Sequence, residues 1–248
     1  ILGDIIFLFK RFHDEKPPKE VKKILISKID QMGDVIFSTL LLRYLKDRFP
    51  KAEIHYLISE KTKFILENNP WVSKIWLYEP FSIGALLGRG RHKNFLKDFK
   101  ESWQIGRETL KKLRREKYDV IINARAHPPS INWYLWLMRP RYFCAFNVSI
   151  FSFLADYRAD YNLQGREDQN TFNLLAPFGV NRSAGPVLEF HNLANSVIFR
   201  EKVRNLFKID IEKDNFAVIA PVSFDEEKCW TIDGWREVVK YLLESDFY

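Results

Sequence analysis

Cysteine is nearly missing from this sequence: two in 248 residues, Cys144 and Cys229. They are too few and too far apart for a disulfide framework or a cysteine metal knuckle, and a reducing compartment is expected. The five histidines have no His-x-x-x-His spacing, so a zinc site of that type is excluded. Glycine is also sparse, with ten residues. No G-x-G-x-x-G fingerprint and no P-loop occur, so no dinucleotide is implied. Nor does any stretch reach the roughly 18 to 20 apolar residues of a membrane span.

What is present is a globular composition. Hydrophobic residues make up 46%, charged residues 29% and aromatics 15%, which suits a large packed α/β domain or one domain and part of another. The opening "ILGDIIFLFKRF" is apolar, then basic, and too short to cross a bilayer. It packs as an N-terminal segment or touches a membrane surface. The chain begins at Ile1 rather than methionine, so residues upstream are expected.

The formal charge of +7 is concentrated. Between Leu86 and Lys117 stand eleven Lys or Arg against four acids, which accounts for the whole excess. Phe81, Leu86, Leu87, Phe95 and Trp103 lie among or beside these cations. Apolar side chains next to cations suit an anionic membrane surface or an anionic acceptor, with Arg89, Arg91 and Lys93 as weak acceptor contacts. A solvated helix face is the plainer reading. Nucleic acid is not expected, because no nucleic-acid motif accompanies the charge.

Hydrophobic periodicity alternates strands and helices. Strands are expected at Lys23–Ile29, Ala52–Ser59, Val72–Glu79, Tyr118–Ala124 and Arg141–Asn147. Helices are expected at Val35–Phe49, in a short piece ending at Asn69-Pro70, at Phe95–Lys117, Pro129–Met138 and Asp168–Pro177, the last closed by Gly179. This order argues for a mostly parallel sheet with helices on both faces. "GVNRSAGP" reads as a linker. Beyond it come a helix near Leu193–Phe207, a strand at Phe216–Pro221 and a helix near Asp233–Ser245. One strand cannot bury a sheet, so a second α/β domain is expected to be incomplete. The expected organisation is 1–20 as N-terminal segment, 21–182 as first domain and 183–248 as the start of a second.

The joint Gln31-Met32-Gly33-Asp34 falls where the first strand meets a helix. In open α/β sheets ligands sit beyond the carboxyl ends of the strands. Gly33 is free to take a positive φ or to let a ligand approach the backbone. Asp34 reads either as an N-cap or as a general base taking a proton from an attacking hydroxyl; the two are compatible.

The stretch around this joint resembles the family 9 glycosyltransferases, the lipopolysaccharide heptosyltransferases. The shared features are Gly33-Asp34-Val35, Leu42-Arg43-Tyr44-Leu45, Phe49-Pro50, the "AEIH" of Ala52–His55, and Asn69-Pro70 followed by Val72. "YDVIINA" is similar to the family's next strand, with Asn123 where aspartate is common. A second stretch, "VIAPVSFDEEKCWTIDGWREVVKYL", is similar to the opening of the family's C-terminal domain. There Lys228-Cys229-Trp230 fits Lys-x-Trp, Trp235 fits a later aromatic, and Thr231 replaces a frequent proline.

The resemblance implies a GT-B-like fold: a Rossmann-like acceptor domain with a parallel sheet, then a Rossmann-like nucleotide-sugar domain, here only its beginning. It implies an inverting transfer of a heptose or related sugar from a nucleotide-sugar, ADP-heptose by expectation, to an anionic glycolipid of lipopolysaccharide-core type. Asp34 matches the family's base. Lys228 and Ser223 would meet the donor diphosphate, although Lys228 also reads as a solvated loop lysine. Asp225, Glu226 and Glu227 read as a solvated acidic loop, and no metal or other cofactor is expected. The implied location is the cytoplasmic face of a bacterial inner membrane, held peripherally. The family's later Asp-x-Gly-x-x-His segment has no counterpart here. The rival reading is a non-catalytic sugar- or nucleotide-binding protein that keeps the fold.

Overall fold

A computed structural model of the chain describes residues 16–78, 106–127, 131–180, 187–189, 196–211, 213–223 and 229–244. The expectations for residues 1–15, for the loop and the start of the basic helix (79–105), and for Asp225–Lys228 lie outside them. Packing divides the chain into two units, Ile1–Asn192 and Leu193–Tyr248.

The first unit is built on six strands: β1 (Lys23–Ser27), β2 (Glu53–Ile58), β3 (Val72–Leu77), β4 (Val120–Asn123), β5 (Tyr142–Phe146) and β6 (Tyr157–Ala159). All pair in parallel, in the order β3-β2-β1-β4-β5-β6. This is the doubly wound order, in which the winding reverses between β1 and β4. Five strands match the periodicity. The sixth was not expected: Tyr157–Ala159 has three residues, too short to show a period.

Alternation sorts the strand residues between two cores. Ile24, Ile26, Ile54, Tyr56, Ile58, Val120, Ile122, Cys144 and Phe146 face one side. There they meet α1 (Met32–Ser38), α2 (Leu40–Arg48) and α5 (Glu167–Asn173). Leu25, Leu57, Ile121, Phe143 and Ala145 face the other, against α3 (residues 106–115) and α4 (Asn132–Trp136).

The single helix expected over Val35–Phe49 is two helices. The Ser38 and Thr39 hydroxyls donate back to the carbonyls of Val35 and Ile36, both at 2.7 Å. Such back-bonding competes with the helix ladder and breaks it locally. The piece before Asn69 is a 3₁₀ turn, Glu60–Ile65. After α5 the chain closes at Gly179, whose φ of 70° is left-handed as a helix stop requires.

Charges tie the amino end of the sheet shut. Asp119 accepts from the backbone N–H groups of Lys22 and Lys23 at 2.7 and 3.1 Å. Glu116 bonds Lys23 at 2.6 Å and Lys74 at 2.7 Å, and these bonds hold its carboxyl down at about 2. The segment Val187–Glu189, which the sequence reading assigns to the second domain, is held by the first unit. Glu189 donates its N–H to Thr39 Oγ1 at 3.0 Å, accepts from Asn69 Nδ2 at 2.7 Å, and pairs with Arg43.

The second unit contains α6 (Ser196–Phe207) and α7 (Ile232–Glu244), close to the expected helices. The strand expected at Phe216–Pro221 is absent: these residues pair with no strand among the described residues. A strand exists only through its neighbours, and apolar runs alone do not provide one.

Candidate active site at the carboxyl edge of the sheet

The carboxyl ends of β1 and β4 flank the point where the winding reverses, and the two strands run together to Ser27 and Asn123. Lys28 follows Ser27. Its backbone N–H donates to Leu57 of β2 at 3.0 Å, and its ammonium donates to the Ala124 carbonyl beyond β4 at 2.8 Å. One residue therefore grips both neighbours of β1.

Around this ammonium, whose side chain is 2% exposed, stand three carboxylates: Glu167 at 3.4 Å, Asp30 at 3.6 Å and Asp34 at 4.0 Å. Arg125 adds a second cation, 3.9 Å from Asp30, and its Nε donates to the His127 carbonyl at 3.0 Å. Tyr161 donates its hydroxyl to Glu167 at 2.7 Å, with the His127 ring edge-on to it at 5.6 Å between centroids.

Asp34 differs from the other two acids. Its side chain is 35% exposed, against 18% for Asp30 and 20% for Glu167. It is also farthest from the ammonium. Of the three acids it is therefore the one an incoming hydroxyl reaches most readily. Partial burial pushes its carboxyl above the usual range; Lys28 and Arg125 pull it down, and Asp30 and Glu167 push it further up. A half-desolvated carboxylate beside neighbouring acids is a stronger base than one in water.

Two details of the joint need correction. Gln31, not Asp34, occupies the N-cap position of α1; Asp34 lies inside the first turn, where it still complements the helix dipole. Gly33 also lies within α1, and its φ is not positive. Open space remains beside it, since a side chain there would meet nothing within 4 Å, so close approach to this turn is free.

Of the remaining expected site residues, Ser223 belongs to the second unit and the others lie outside the described residues. Ser223 is exposed in the second unit, and its backbone exchanges contacts with the Cys229 thiol at 3.2 and 3.6 Å. Lys228, Arg89, Arg91 and Lys93 lie outside the described residues. Trp230 packs edge-on against Trp235 at 5.6 Å. A hollow of about 660 Å³ in this unit is lined by Val222, Trp230, Trp235, Val239 and Leu243 among others. Its lining is mainly apolar, with Arg236, Lys240 and Glu244 as its charged members. Among the described residues, no cluster of His, Cys, Asp and Glu is arranged to hold a metal.

Lys28, Asp30, Arg125, Tyr161 and Glu167 were missed by sequence reasoning. The one local signal was a lysine inside an apolar run, "ILISKID". A cation at the end of a buried strand requires anionic partners, but nothing local says which ones.

Because Asp34 is shifted up, the stability tied to its protonated form is complete below its ordinary value of 3.8. That stability is lost as pH rises through the shifted value, so at neutral pH the charge is a net cost. Asp34→Asn is expected to melt at or above the wild-type temperature at pH 7, with the advantage shrinking towards pH 4. A melting temperature several degrees lower at pH 7 would instead make Asp34 a structural ion-pair partner.

No family model matches the chain. A 54-residue stretch, 22% of the chain, is 35% identical to lipopolysaccharide heptosyltransferase 1 of Campylobacter coli and covers 16% of that protein. The solved structure of a glycosyl transferase family 9 protein from Veillonella parvula matches 92% of this chain with a TM-score of 0.63 at 19% identity. The E. coli heptosyltransferase WaaC with ADP-2-deoxy-2-fluoro heptose matches 90% with a TM-score of 0.59 at 15% identity. The E. coli ADP-heptose lipopolysaccharide heptosyltransferase II matches 90% with a TM-score of 0.57 at 16% identity. The chain spans 61%, 66% and 61% of these three structures. Its fold is that of the GT-B-like family 9 glycosyltransferases, the heptosyltransferases among them.

Proposed function

We propose that this chain belongs to an inverting glycosyltransferase that moves a heptose or related sugar from a nucleotide-sugar to an anionic glycolipid of lipopolysaccharide-core type. The observation that carries the reading is the Asp34 carboxylate, the most exposed of three acids at the switch point of a fold shared with heptosyltransferases. Ligands of doubly wound sheets gather at that point.

In the proposed reaction Asp34 accepts the proton of the acceptor hydroxyl. The hydroxyl oxygen bonds to the anomeric carbon from one face as the bond to the diphosphate oxygen breaks on the other. The nucleoside diphosphate leaves with the bonding pair, and the configuration inverts. One base suffices, because no sugar–enzyme bond forms. Lys228 and Ser223 are proposed to meet the diphosphate, where charge accumulates. A resident metal is not required if these groups carry that charge. The E. coli relative WaaC was crystallised with ADP and with an ADP-heptose analogue, which supports ADP-heptose as donor.

Nucleotide release is the direct test. Full-length protein incubated with ADP-heptose, other nucleotide-sugars and a core-type acceptor is expected to release the nucleotide in an acceptor-dependent way. Lys228→Ala is expected to weaken donor binding about tenfold or more, as loss of a charged hydrogen bond does. Donor binding without release under any acceptor would favour the sugar- or nucleotide-binding reading, and unchanged donor binding in the lysine variant would assign Lys228 to solvent.

The basic segment is proposed to hold the enzyme peripherally at the cytoplasmic face of the membrane. No helix among the described residues is long and apolar enough to cross one. Reversing Arg89, Arg91 and Lys93 to glutamate is expected to release the protein from vesicles containing anionic lipid. Undiminished binding in a sedimentation assay would reduce the patch to a solvated face.

A further inference from the structure

Lys28 is tied to three segments of the first unit through one buried ammonium. Its ammonium is buried at the switch point, fixed by the Ala124 carbonyl at 2.8 Å and ringed by Glu167, Asp30 and Asp34 at 3.4, 3.6 and 4.0 Å. Glu167 is held from behind by the Tyr161 hydroxyl at 2.7 Å, and Tyr161 is itself set against Phe146 at the end of β5, with ring centroids 5.0 Å apart. Lys28 and Glu167, one positive and one negative, are thus locked in place by separate parts of the fold.

We propose that Lys28 is the positioning residue of the Asp34 base, with Glu167 as its opposing arm: the fixed ammonium holds Asp34 ionised, and the fixed carboxylate keeps it basic. The consequence for turnover rests on the reading of Asp34 as the base; the charge balance at Asp34 does not.

The geometry supports a balance rather than a simple ion pair. A simple pair would bring Asp34 into hydrogen-bond contact with the ammonium, and that contact would lower its basicity and tie down one of its two oxygens. At 4.0 Å the charge still acts while the oxygen stays available. Glu167 and Asp30 stand closer to the ammonium than Asp34 does and divert part of its attraction. The remaining charge acting on Asp34 comes from Arg125 beyond β4. The 3₁₀ turn Glu60–Ile65, which carries Glu60, Lys61 and Lys63, also packs on α1, while the charges acting most strongly on Asp34 are Lys28, Asp30, Glu167 and Arg125. On their own, the signs predict opposite effects: loss of the lysine charge makes Asp34 harder to ionise, and loss of the Glu167 charge makes it easier.

The test is a carbon-detected NMR titration of the Asp34 side-chain carboxyl in the full chain, run on wild type, Lys28→Met, Glu167→Gln and Asp30→Asn. The midpoint is expected to rise by about one pH unit in Lys28→Met and to fall in Glu167→Gln and Asp30→Asn, as charges at these separations do. Glutamine retains the shape that Tyr161 and Lys28 contact, so its effect reports charge. If Lys28→Met does not fold, Lys28→Arg should keep the wild-type midpoint, and the two acid variants carry the sign test. Midpoints that stay put, or that move in one direction for lysine and acid variants alike, overturn the proposal. With an active enzyme, the acid limb of the kcat/KM profile should follow these midpoints: up for Lys28→Met, down for Glu167→Gln. If the midpoints move as expected while the limb does not, the charge balance stands and Asp34 is not the base.

Discussion

The carboxyl edge of this sheet depends on an ammonium group buried where β1 ends. Burying a cation is unfavourable unless it is paired and hydrogen-bonded, and Lys28 meets that condition with one carbonyl and three carboxylates. The requirement acts on distant segments. The Ala124 carbonyl is 96 residues away in sequence and Glu167 is 139 away, yet both are positioned by the same charge. Truncating Glu167, the carboxylate closest to the ammonium, would leave that buried charge short of a partner, so the strand ends that line the rim are held together by the cluster that also contains the proposed base.

The two ends of the sheet use charge differently. At the amino end Glu116 and Asp119 close short bonds to lysines and to backbone N–H groups. Glu116 is held low by those bonds, so it stabilises the fold above its ordinary value of 4.5 and loses that contribution as pH falls towards about 2. At the carboxyl end burial pushes Asp34 up, so its charge is held at a cost. Paired carboxylates of the first kind serve stability. A carboxylate kept charged against burial, open to solvent and at the ligand edge of the sheet is what a base requires.

The parts of this account that could be read from the sequence were those encoded locally. Short apolar runs gave five strands, because run length and spacing are local, while the assignment of strand residues to the two faces came from the fold. Gly33-Asp34-Val35 pointed to the rim, because a strand-to-helix joint is a local event. The break between α1 and α2 was not read, since an apolar period continues through Ser38 and Thr39 while their hydroxyls interrupt the ladder. Asp34 was read as a possible N-cap although Gln31 fills that place; a difference of three residues is within the uncertainty of a periodic pattern. Glu167, Tyr161 and Glu189 were not legible because their roles arise only when α5 and the Val187–Glu189 segment fold back on β1 and α2. The expected strand at Phe216–Pro221 shows the converse: an apolar run was read as sheet, but no neighbour pairs with it among the described residues.

The most direct measurement is the turnover of Asp34→Asn in the full-length protein with ADP-heptose and a core-type acceptor, alongside its affinity for each. The account predicts that transfer falls by several orders of magnitude while both ligands still bind within a few-fold of wild type, since asparagine keeps the shape of the site and loses only the ability to take a proton. Transfer at the wild-type rate would contradict it.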